Sequence, residues 1–512
     1  MRKIVLYIFF GLLGSPLVAQ QTISSDSIYL YDQTSRQVNW AHTSATQLLF
    51  HDFKNIARSQ LYAGREQGAF RRSQEVYQRT VTGFHTDGIK NLGRFTLAGQ
   101  FDFERAWEDS SSWWLSGEYD AAQPYYFFAS KAGPNEKQLY SLSATATYNL
   151  WKNKLYLGAS GTYRYHWTTR SVDPRPDIKE FTTTLRPEIT ARFNNHLAGV
   201  GFLWGRGSER GDVGYKNRVF AGNQLYLDRN LFWSLGFGHI GKLTKYMQRY
   251  KETSGFFVNY ATRFNNWSLQ AGGGYELNQE DISQDTTSTR PRHSLYAFVQ
   301  RDKANGNLLL THANTRGQQQ WELQVSSQSL LNWASEFNAT SYQYTGTGVH
   351  FTFRQLWQKS SGIQIELGTG ADYSEQYKQD IVAAHTWQLQ VITPQVYAAI
   401  YRKAHDKSWL SFSLTPSFRH TLTNDLSLPP TQENYFTKGI AYTDYLYWQK
   451  NSLSVATQFK YMQKEKPKRH RLGGTVNINW QQSTDGTHTG LPALYIPSGN
   501  RWSIGASLNL YL

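Results

Sequence analysis

The end of the chain alternates between apolar and polar residues with a period of two, from Arg501 to Leu512. Successive side chains on a β-strand take opposite faces, so this pattern predicts a strand with one apolar and one polar face. We expect the apolar face to meet lipid and the polar face to meet water. The apolar face is formed by Trp502, Ile504, Ala506, Leu508, Leu510 and Leu512.

The same alternation recurs along most of the chain from about residue 73 onward. Each alternating run is about 9 to 14 residues long, which is enough for a tilted strand to cross the hydrocarbon layer of a membrane. The pattern therefore predicts an all-β fold, a transmembrane antiparallel up-and-down β-barrel of about 14 to 18 strands. The clearest runs are 95–103, 142–149, 155–165, 363–371, 410–418 and 476–480.

Connections between the runs fall into two sizes, as expected for a barrel with short turns at one rim and long loops at the other. Asn and Gly recur in the short connections, because both residues tolerate the positive φ that tight hairpins require. The predicted short turns are 151–154, 193–196, 264–267, 303–307, 404–408 and 448–452. The predicted long connections are 108–137, 171–179, 207–230, 279–290, 424–437 and 483–498.

The strand count contains one inconsistency. About 18 strands fit between residues 73 and 512, but the first of them then runs inward and the last outward, whereas both ends of a bacterial barrel normally lie in the periplasm. Either strands are missing from the count, with 45–66 and 491–497 as the candidate places, or one short turn lies at the outer rim.

The first 72 residues divide into two parts. Residues 1–19 have a basic start, an apolar run too short to span a bilayer and a small-residue exit, which predicts a cleaved secretory signal peptide. Residues 20–72 lack clear alternation, and we expect either a periplasmic lead-in or a plug inside the barrel. The barrel itself is predicted to occupy residues 73–512.

Composition agrees with a membrane barrel and narrows the chemistry. Aromatic residues make up 15% of the chain, as two interfacial girdles require. The formal charge of +15 is spread along the chain, which favours basic strand ends near anionic lipid, or a cationic pore, over a nucleic-acid site. The absence of cysteine excludes disulfides, thiolate metal sites and cysteine nucleophiles.

The densest run of positive charge lies near the end of the chain. If this run is external, its side chains could hold lipopolysaccharide phosphates through charge-assisted hydrogen bonds. The alternative, a solvated loop without a ligand, is the commoner outcome for such a run. The candidate residues are Lys466, Lys468, Arg469 and Arg471.

A glycine-rich stretch, 205–214, carries two further candidates, Arg206 and Arg210. Its glycines suggest a loop that folds into the lumen, where the two arginines would line a path for anions. The stretch lacks the Gly-Lys-Ser/Thr ending of a phosphate-binding Walker loop. We therefore treat both arginines as candidate contacts for anions or lipopolysaccharide.

No motif indicates catalysis or a cofactor. The sequence contains neither a His-Glu-x-x-His zinc motif nor a Gly-x-Ser-x-Gly nucleophile elbow. We expect no cofactor, no metal site and no enzymatic activity. An outer-membrane hydrolase, with Asp, His and Ser side chains gathered at one rim, remains an alternative.

Together, the signal peptide, the alternating strands, the two sizes of connection and the terminal strand resemble Gram-negative outer-membrane β-barrels. The Asn-rich turns and the final Leu512 resemble Bacteroidota members of uncharacterised function. The resemblance implies an outer-membrane location and contact with lipid, including lipopolysaccharide, and with the barrel-assembly machinery. It favours a channel or a transport-associated component of nutrient uptake, partnered by an uptake receptor. The alternative is a non-conducting barrel that binds surface lipoproteins or lipopolysaccharide.

Overall fold

The computed structural model describes residues 36, 38–51, 55–241, 246–283, 295–314, 317–358, 362–405, 408–463, 471–484 and 490–511. The predicted signal peptide, 1–19, lies outside these residues. The strands are β1 (Asn55–Gly68), β2 (Gln78–Leu92), β3 (Phe95–Ser111), β4 (Tyr125–Phe128), β5 (Gly133–Trp151), β6 (Leu155–Arg170), β7 (Arg175–Phe193), β8 (His196–Gly214), β9 (Phe232–Leu235), β10 (Ile240–Gly241), β11 (Tyr246–Phe264), β12 (Trp267–Ser283), β13 (Leu295–Asn314), β14 (Gly317–Ala334), β15 (Tyr342–Gln358), β16 (Ile363–Asp380), β17 (His385–His405), β18 (Ser408–Ser427), β19 (Ser452–Gln463), β20 (Arg471–Ser483) and β21 (Asn500–Tyr511).

Eighteen of these strands form one closed antiparallel barrel, and each pairs with its neighbours in chain order. Strand β8 pairs with β11, because β4, β9 and β10 belong to a separate three-stranded sheet. The barrel closes where β1 meets β21, with Leu61 opposite Leu508. The predicted fold class is confirmed, and the strand number lies at the upper end of the predicted range.

The closing pair also resolves the inconsistency in the strand count. The missing strand is β1, which begins in the candidate stretch 45–66, so the barrel begins at Asn55 and the predicted boundary at residue 73 is wrong. With β1 included, the start of β1 and the end of β21 lie at the same rim. The other candidate place, 491–497, contains no strand.

Most short and long connections separate by rim, as predicted, but the connection predicted to be long at 171–179 is only residues 171–174. We call the rim that holds both ends of the barrel the short rim and the opposite rim the long rim. Asn153, Asn194 and Asn265 have φ of 60°, 53° and 48° in three of the short turns. The predicted turn at 303–307 is wrong, since it lies within β13, and 448–452 is the end of a long connection rather than a hairpin.

The terminal strand has the predicted two faces. Leu508 is 59% exposed on the outer wall. Arg501 and Asn509 face inward, where Arg501 bonds Glu66 and Asn509 bonds Thr475. The same division continues around the barrel and leaves a polar lumen inside an apolar outer band.

Helices are few and short. Helix α1 (Ala45–Phe50) lies inside the barrel near the short rim, and α2 (Tyr442–Gln449) follows a π-helical turn, Thr437–Ala441, in the connection between β18 and β19. Short 3₁₀ turns occur at Arg218–Phe220, Gln224–Arg229 and Pro430–Gln432. Among the described residues, no helix is both long and apolar enough to cross a membrane.

Candidate functional site in the barrel lumen

Three connections of the long rim fold back into the barrel. Residues 112–132 carry β4, residues 231–241 carry β9 and β10, and residues 428–450 carry α2. We call these three segments the outer plug. Their apolar side chains pack with inward-facing wall residues into the largest buried cluster. The wall contributes Val213, Met247, Ile282, Ala297, Val299, Leu330, Tyr342, Tyr344, Trp387, Leu389 and Val391.

Beneath this apolar cluster, a buried arginine joins the plug to the wall. Arg249 of β11 lies 2.7 Å from Glu209 of β8 and 3.4 Å from Glu280 of β12. The same guanidinium donates a hydrogen bond of 2.6 Å to the carbonyl oxygen of Tyr125 in the plug. All three charged side chains are buried, so the plug strand β4 is attached to a charge network that water scarcely reaches.

Neighbouring plug residues make further polar contacts with the same part of the wall. Asp120 lies 2.5 Å from Arg301, and Gln123 donates a hydrogen bond of 3.0 Å to Glu280. Burial opposes ionisation of Asp120, but the adjacent Arg301 outweighs it, so the pKa of Asp120 lies below its ordinary value. Asp120 of the outer plug therefore neutralises the positive charge of Arg301 on the wall.

A cavity of about 300 Å³ lies under this part of the plug and is lined mainly by charged and hydroxyl side chains. Lys251 and Glu180, which form an ion pair of 2.5 Å, lie in its lining together with Thr253. The cavity is lined by both plug and wall residues, so the outer plug does not fill the whole barrel.

A second set of hydrogen bonds holds the outer plug to the segment that links β1 and β2. The backbone N–H and the hydroxyl of Ser73 each donate a hydrogen bond of 2.8 Å to Asp444 at the start of α2. Burial raises the pKa of Asp444 despite these donors and the nearby Arg72. On the wall, Asp380 accepts hydrogen bonds from the backbone N–H groups of Phe237 and His239.

The other end of the lumen is crossed by residues 38–51, which we call the inner segment. Glu188 of β7 accepts hydrogen bonds from Ala45 N (2.8 Å), Thr46 N (3.3 Å) and Thr46 Oγ1 (2.5 Å). A carboxylate at the first turn of α1 satisfies N–H groups that the helix itself leaves free. The Ser44 hydroxyl accepts the N-cap hydrogen bond from the backbone N–H of Gln47.

Glycines in the wall allow this close approach. A Cβ atom at Gly158 would overlap with Ala45, and one at Gly199 would overlap with Thr46 and Glu188. Val38, Ala41 and Leu48 pack on inward residues of β2 and β3. Within the predicted 20–72 segment, residues 38–51 thus pack on the inner wall, whereas 55–68 form a barrel strand.

An imidazole with two carboxylates lies on the wall beside the inner segment. His85 places Nδ1 2.5 Å from Asp102 and Nε2 2.6 Å from Asp87, and Asp87 also pairs with Arg58 at 2.7 Å. Both ring nitrogens are engaged by carboxylates, so His85 has no free nitrogen with which to activate a hydroxyl nucleophile. This cluster therefore has the geometry of a charged wall contact rather than a catalytic triad.

The predicted arginines of the glycine-rich stretch lie in β8, and their expected place in a lumen loop is wrong. Their strand alternates Gly with larger residues, and the glycines face inward while Arg206 and Arg210 face outward and are exposed. The inward glycines at Gly205 and Gly207 lie close to Thr183 and Phe181 backbone oxygens of β7. The repeated glycine reflects close strand contact, not loop flexibility.

The predicted basic cluster is only partly described. Arg471 begins β20 at the short rim and is buried, while Lys466, Lys468 and Arg469 lie outside the described residues. Among the residues that the structure describes, no group of three or more His, Cys, Asp or Glu side chains is placed to hold a metal ion.

The plug and inner segment could not be read from the alternation alone, but β17 carried a signal. Near the long rim its inward positions, Trp387, Leu389 and Val391, are apolar, and Gln388 and Gln390 between them are polar. That phase is the reverse of the phase expected for a strand facing lipid outside and water inside. The reversal marks a part of the wall whose inner face is covered by protein.

These features define a class: a large antiparallel β-barrel with an apolar outer band and with segments of its own chain folded into the lumen near both rims. Residues 45–512 match the model of DUF6850, a family of unknown function, and the chain belongs to that family. No curated protein matches the sequence.

Solved structures with a similar shape include three named barrels. The ferric citrate transporter FecA in its unliganded form has a TM-score of 0.40 and 8% identity, over 89% of this chain and 78% of that chain. BauA, the ferric preacinetobactin receptor from Acinetobacter baumannii, has a TM-score of 0.40 and 8% identity, over 89% and 80%. The copper transporter OprC has a TM-score of 0.40 and 8% identity, over 90% and 83%.

Proposed function

We propose that this protein is a transport-associated barrel of the Gram-negative outer membrane whose lumen is closed at rest and opens when the outer plug moves. The observation that carries this proposal is the buried cluster between plug and wall, which occupies the long-rim end of an otherwise polar lumen. A barrel of this many strands has room for a passage. An assembly with no passage would not need a polar wall behind the plug.

The middle of the lumen supports the same function. Asn305, Gln324 and Asp372 face inward from β13, β14 and β16 and are exposed to the lumen. They lie between the outer plug and the inner segment, where a moving solute would meet hydrogen-bonding groups rather than an apolar wall. The proposal therefore has a water-lined chamber that the outer plug separates from the long rim.

Shortening the first plug connection tests this function. Ser111 and Gly133 are paired across β3 and β5, so a short turn can replace residues 112–132 without opening the barrel wall. In planar bilayers we expect little conductance from the wild type and stepwise conductance from the shortened variant. Equal conductance from both would show that the connections do not close the lumen, and absence of conductance from both would contradict a passage.

A matched experiment keeps the plug but fixes its position. The chain has no cysteine, so Gln123→Cys and Glu280→Cys would introduce the only thiols, across a contact of 3.0 Å. A short bis-maleimide should then prevent any opening that an uptake stimulus produces. Each single-cysteine variant treated with the same reagent is the control.

A second candidate function, a barrel that binds surface lipoproteins, is favoured by one exposed loop. Residues 216–228 at the long rim expose Leu225 (86%), together with Val219 and Leu227. Apolar side chains so exposed at a rim commonly mark a contact surface. A photo-crosslinking residue at position 225 should capture a surface lipoprotein in cells; recovery of only monomer would count against this function.

A further inference from the structure

The outer face of β7 and β8 carries three exposed cations near the long rim. Lys179 of β7 is paired directly across the strands with Arg210 of β8. Arg206 lies four residues before Arg210 on the same strand, so its side chain shares the outward face. Their ammonium and guanidinium groups thus form one basic patch on the outer wall.

Large apolar side chains lie immediately on the membrane side of this patch. Along β8 the outward positions run Val200, Phe202 and Trp204 before Arg206, and Phe202 is 70% exposed. The Arg206 guanidinium lies over the Trp204 ring, 5.3 Å from its centroid. An exposed tryptophan at the end of an apolar band marks the interface of a membrane. The cations therefore lie at the depth of lipid headgroups.

The countercharges around the patch are weak or absent. Lys179 pairs with Asp177 at 3.0 Å and Arg206 with Glu252 at 3.7 Å, and all four side chains are exposed. Exposed pairs of this kind contribute little energy. Among the described residues, Arg210 forms no ion pair.

The acidic neighbours limit where a ligand can lie. Asp177 and Asp212 are paired with each other one step nearer the long rim than Lys179 and Arg210. A phosphate would be repelled from that position and attracted to the space between Arg210 and Arg206. Only Ser208 separates the two arginines on the outward face, and its hydroxyl is a further donor.

We infer that this patch binds the phosphorylated headgroup of a glycolipid in the outer leaflet. Arg206, Arg210 and Lys179 would hold the phosphate through charge-assisted hydrogen bonds, and the guanidinium groups suit two phosphate oxygens each. Trp204 and Phe202 would contact the acyl chains below. Gating of the lumen plays no part in this site, which shares only the membrane location with the proposed function.

Native mass spectrometry of the full chain in detergent micelles tests this site with defined probes. These are a bis-phosphorylated lipid A, the same lipid without phosphates and inorganic phosphate. We expect retention of the phosphorylated lipid, and a loss of roughly tenfold in affinity for the variant with Lys179→Gln and Arg210→Gln, because two charge-assisted contacts are removed. Neither the dephosphorylated lipid nor inorganic phosphate should be retained at the same concentration.

A matched variant separates a site from general attraction between charges. Lys152→Gln and Lys154→Gln remove two exposed cations from a turn at the short rim. Affinity for the phosphorylated lipid should stay unchanged in that variant. Equal loss in both double variants, equal retention of the dephosphorylated lipid, or inorganic phosphate binding as strongly as lipid would each overturn the glycolipid site.

A heat-dependent shift in electrophoretic mobility equal to that of the wild type would confirm that each variant folds, which we expect because all four positions are exposed. One further result would contradict the inference. In that result the patch binds a protein partner, and the variant with Lys179→Gln and Arg210→Gln loses the partner but still binds the lipid.

Discussion

Arg249 and Glu209 lie 2.7 Å apart inside the barrel, and each side chain is less than a tenth exposed. The pair is also the point where plug and wall meet, because Arg249 donates to the Tyr125 carbonyl and Gly117 donates to Glu209 at 3.4 Å. A buried pair of this kind contributes little net stability over an apolar substitute, but removal of one partner leaves a buried charge uncompensated. The ion pair therefore positions the plug rather than stabilising the fold, because it holds residues 117–125 in one place.

We predict that Arg249→Met loosens the outer plug. Loss of the guanidinium leaves Glu209 and Glu280 without their shared cation and should cost about 3–5 kcal/mol, part of it recovered when water enters. Hydrogen exchange measured by mass spectrometry should increase in residues 117–125, and conductance should appear in bilayers. Both effects should be absent if the plug is held only by its apolar cluster.

The control for that substitution is an exposed pair elsewhere on the barrel. Arg105 on the outer face of β3 lies 2.8 Å from Glu136. Arg105→Met removes the same charge from a solvated surface and should cost less than about 1 kcal/mol. Hydrogen exchange in residues 117–125 of the Arg105→Met variant should match that of the wild type.

We predict that Gly199→Ala displaces the inner segment. The added methyl group would overlap with Thr46 and Glu188, and neither β8 nor β7 can move away within a closed barrel. Overpacking of this kind costs about 1–3 kcal/mol, which is comparable with the hydrogen bonds that hold α1. Limited proteolysis should then cleave within residues 38–51.

Gly306→Ala is the matched control, since nothing lies within 4 Å of a Cβ atom at that position in β13. It should leave cleavage of the inner segment unchanged. If residues 38–51 of the Gly199→Ala variant resist the protease as well as those of the wild type, the close approach at Gly199 does not hold the inner segment in place.

The barrel could be predicted from the sequence because a period of two is set by strand geometry alone. Strand β1 was missed for a physical reason: its outward positions are Ala57, Ser59, Leu61, Ala63 and Arg65, of which Leu61 alone is large and apolar. Its place in the barrel depends on pairing with β2 and β21, and that partner choice is not a local property.

The interior was less accessible to prediction because it depends on which distant residues meet. Glu188 and Thr46 are separated by 142 positions, and Arg249 and Tyr125 by 124. Neither pair belongs to a motif with fixed spacing. Arg206 and Arg210 were expected in a lumen loop because of their glycine neighbours, but the register of β7 and β8 places them in a strand.

We predict that acid loosens the inner segment through His42. Burial lowers the pKa of His42 below its ordinary value of 6.5; Asp87 opposes this shift, and His85 and Arg58 reinforce it. The undocked segment therefore binds a proton more readily than the docked one, so docking is stable above about pH 6.5 and weakens as the pH falls below it. A spin label at Asn39→Cys, an exposed position in a chain without cysteine, should become more mobile between pH 8 and pH 5.

The variant His42→Gln should abolish that dependence while keeping a similar volume. A label that gains mobility equally in both proteins would assign the effect to other groups, of which the His85 cluster with Asp87 and Asp102 is the nearest.

The last prediction concerns the closing seam. Leu508 and Leu61 lie side by side on the outer face, and Phe84 and Phe103 continue the row on β2 and β3. A lysine on the lipid face costs up to about 2–4 kcal/mol near the middle of the bilayer, whereas the lumen face accepts polar groups. Leu508→Lys should therefore lower the denaturant midpoint in lipid vesicles far more than Ser507→Lys on the neighbouring inward position. Equal losses would mean that the two faces of β21 are not divided between lipid and lumen.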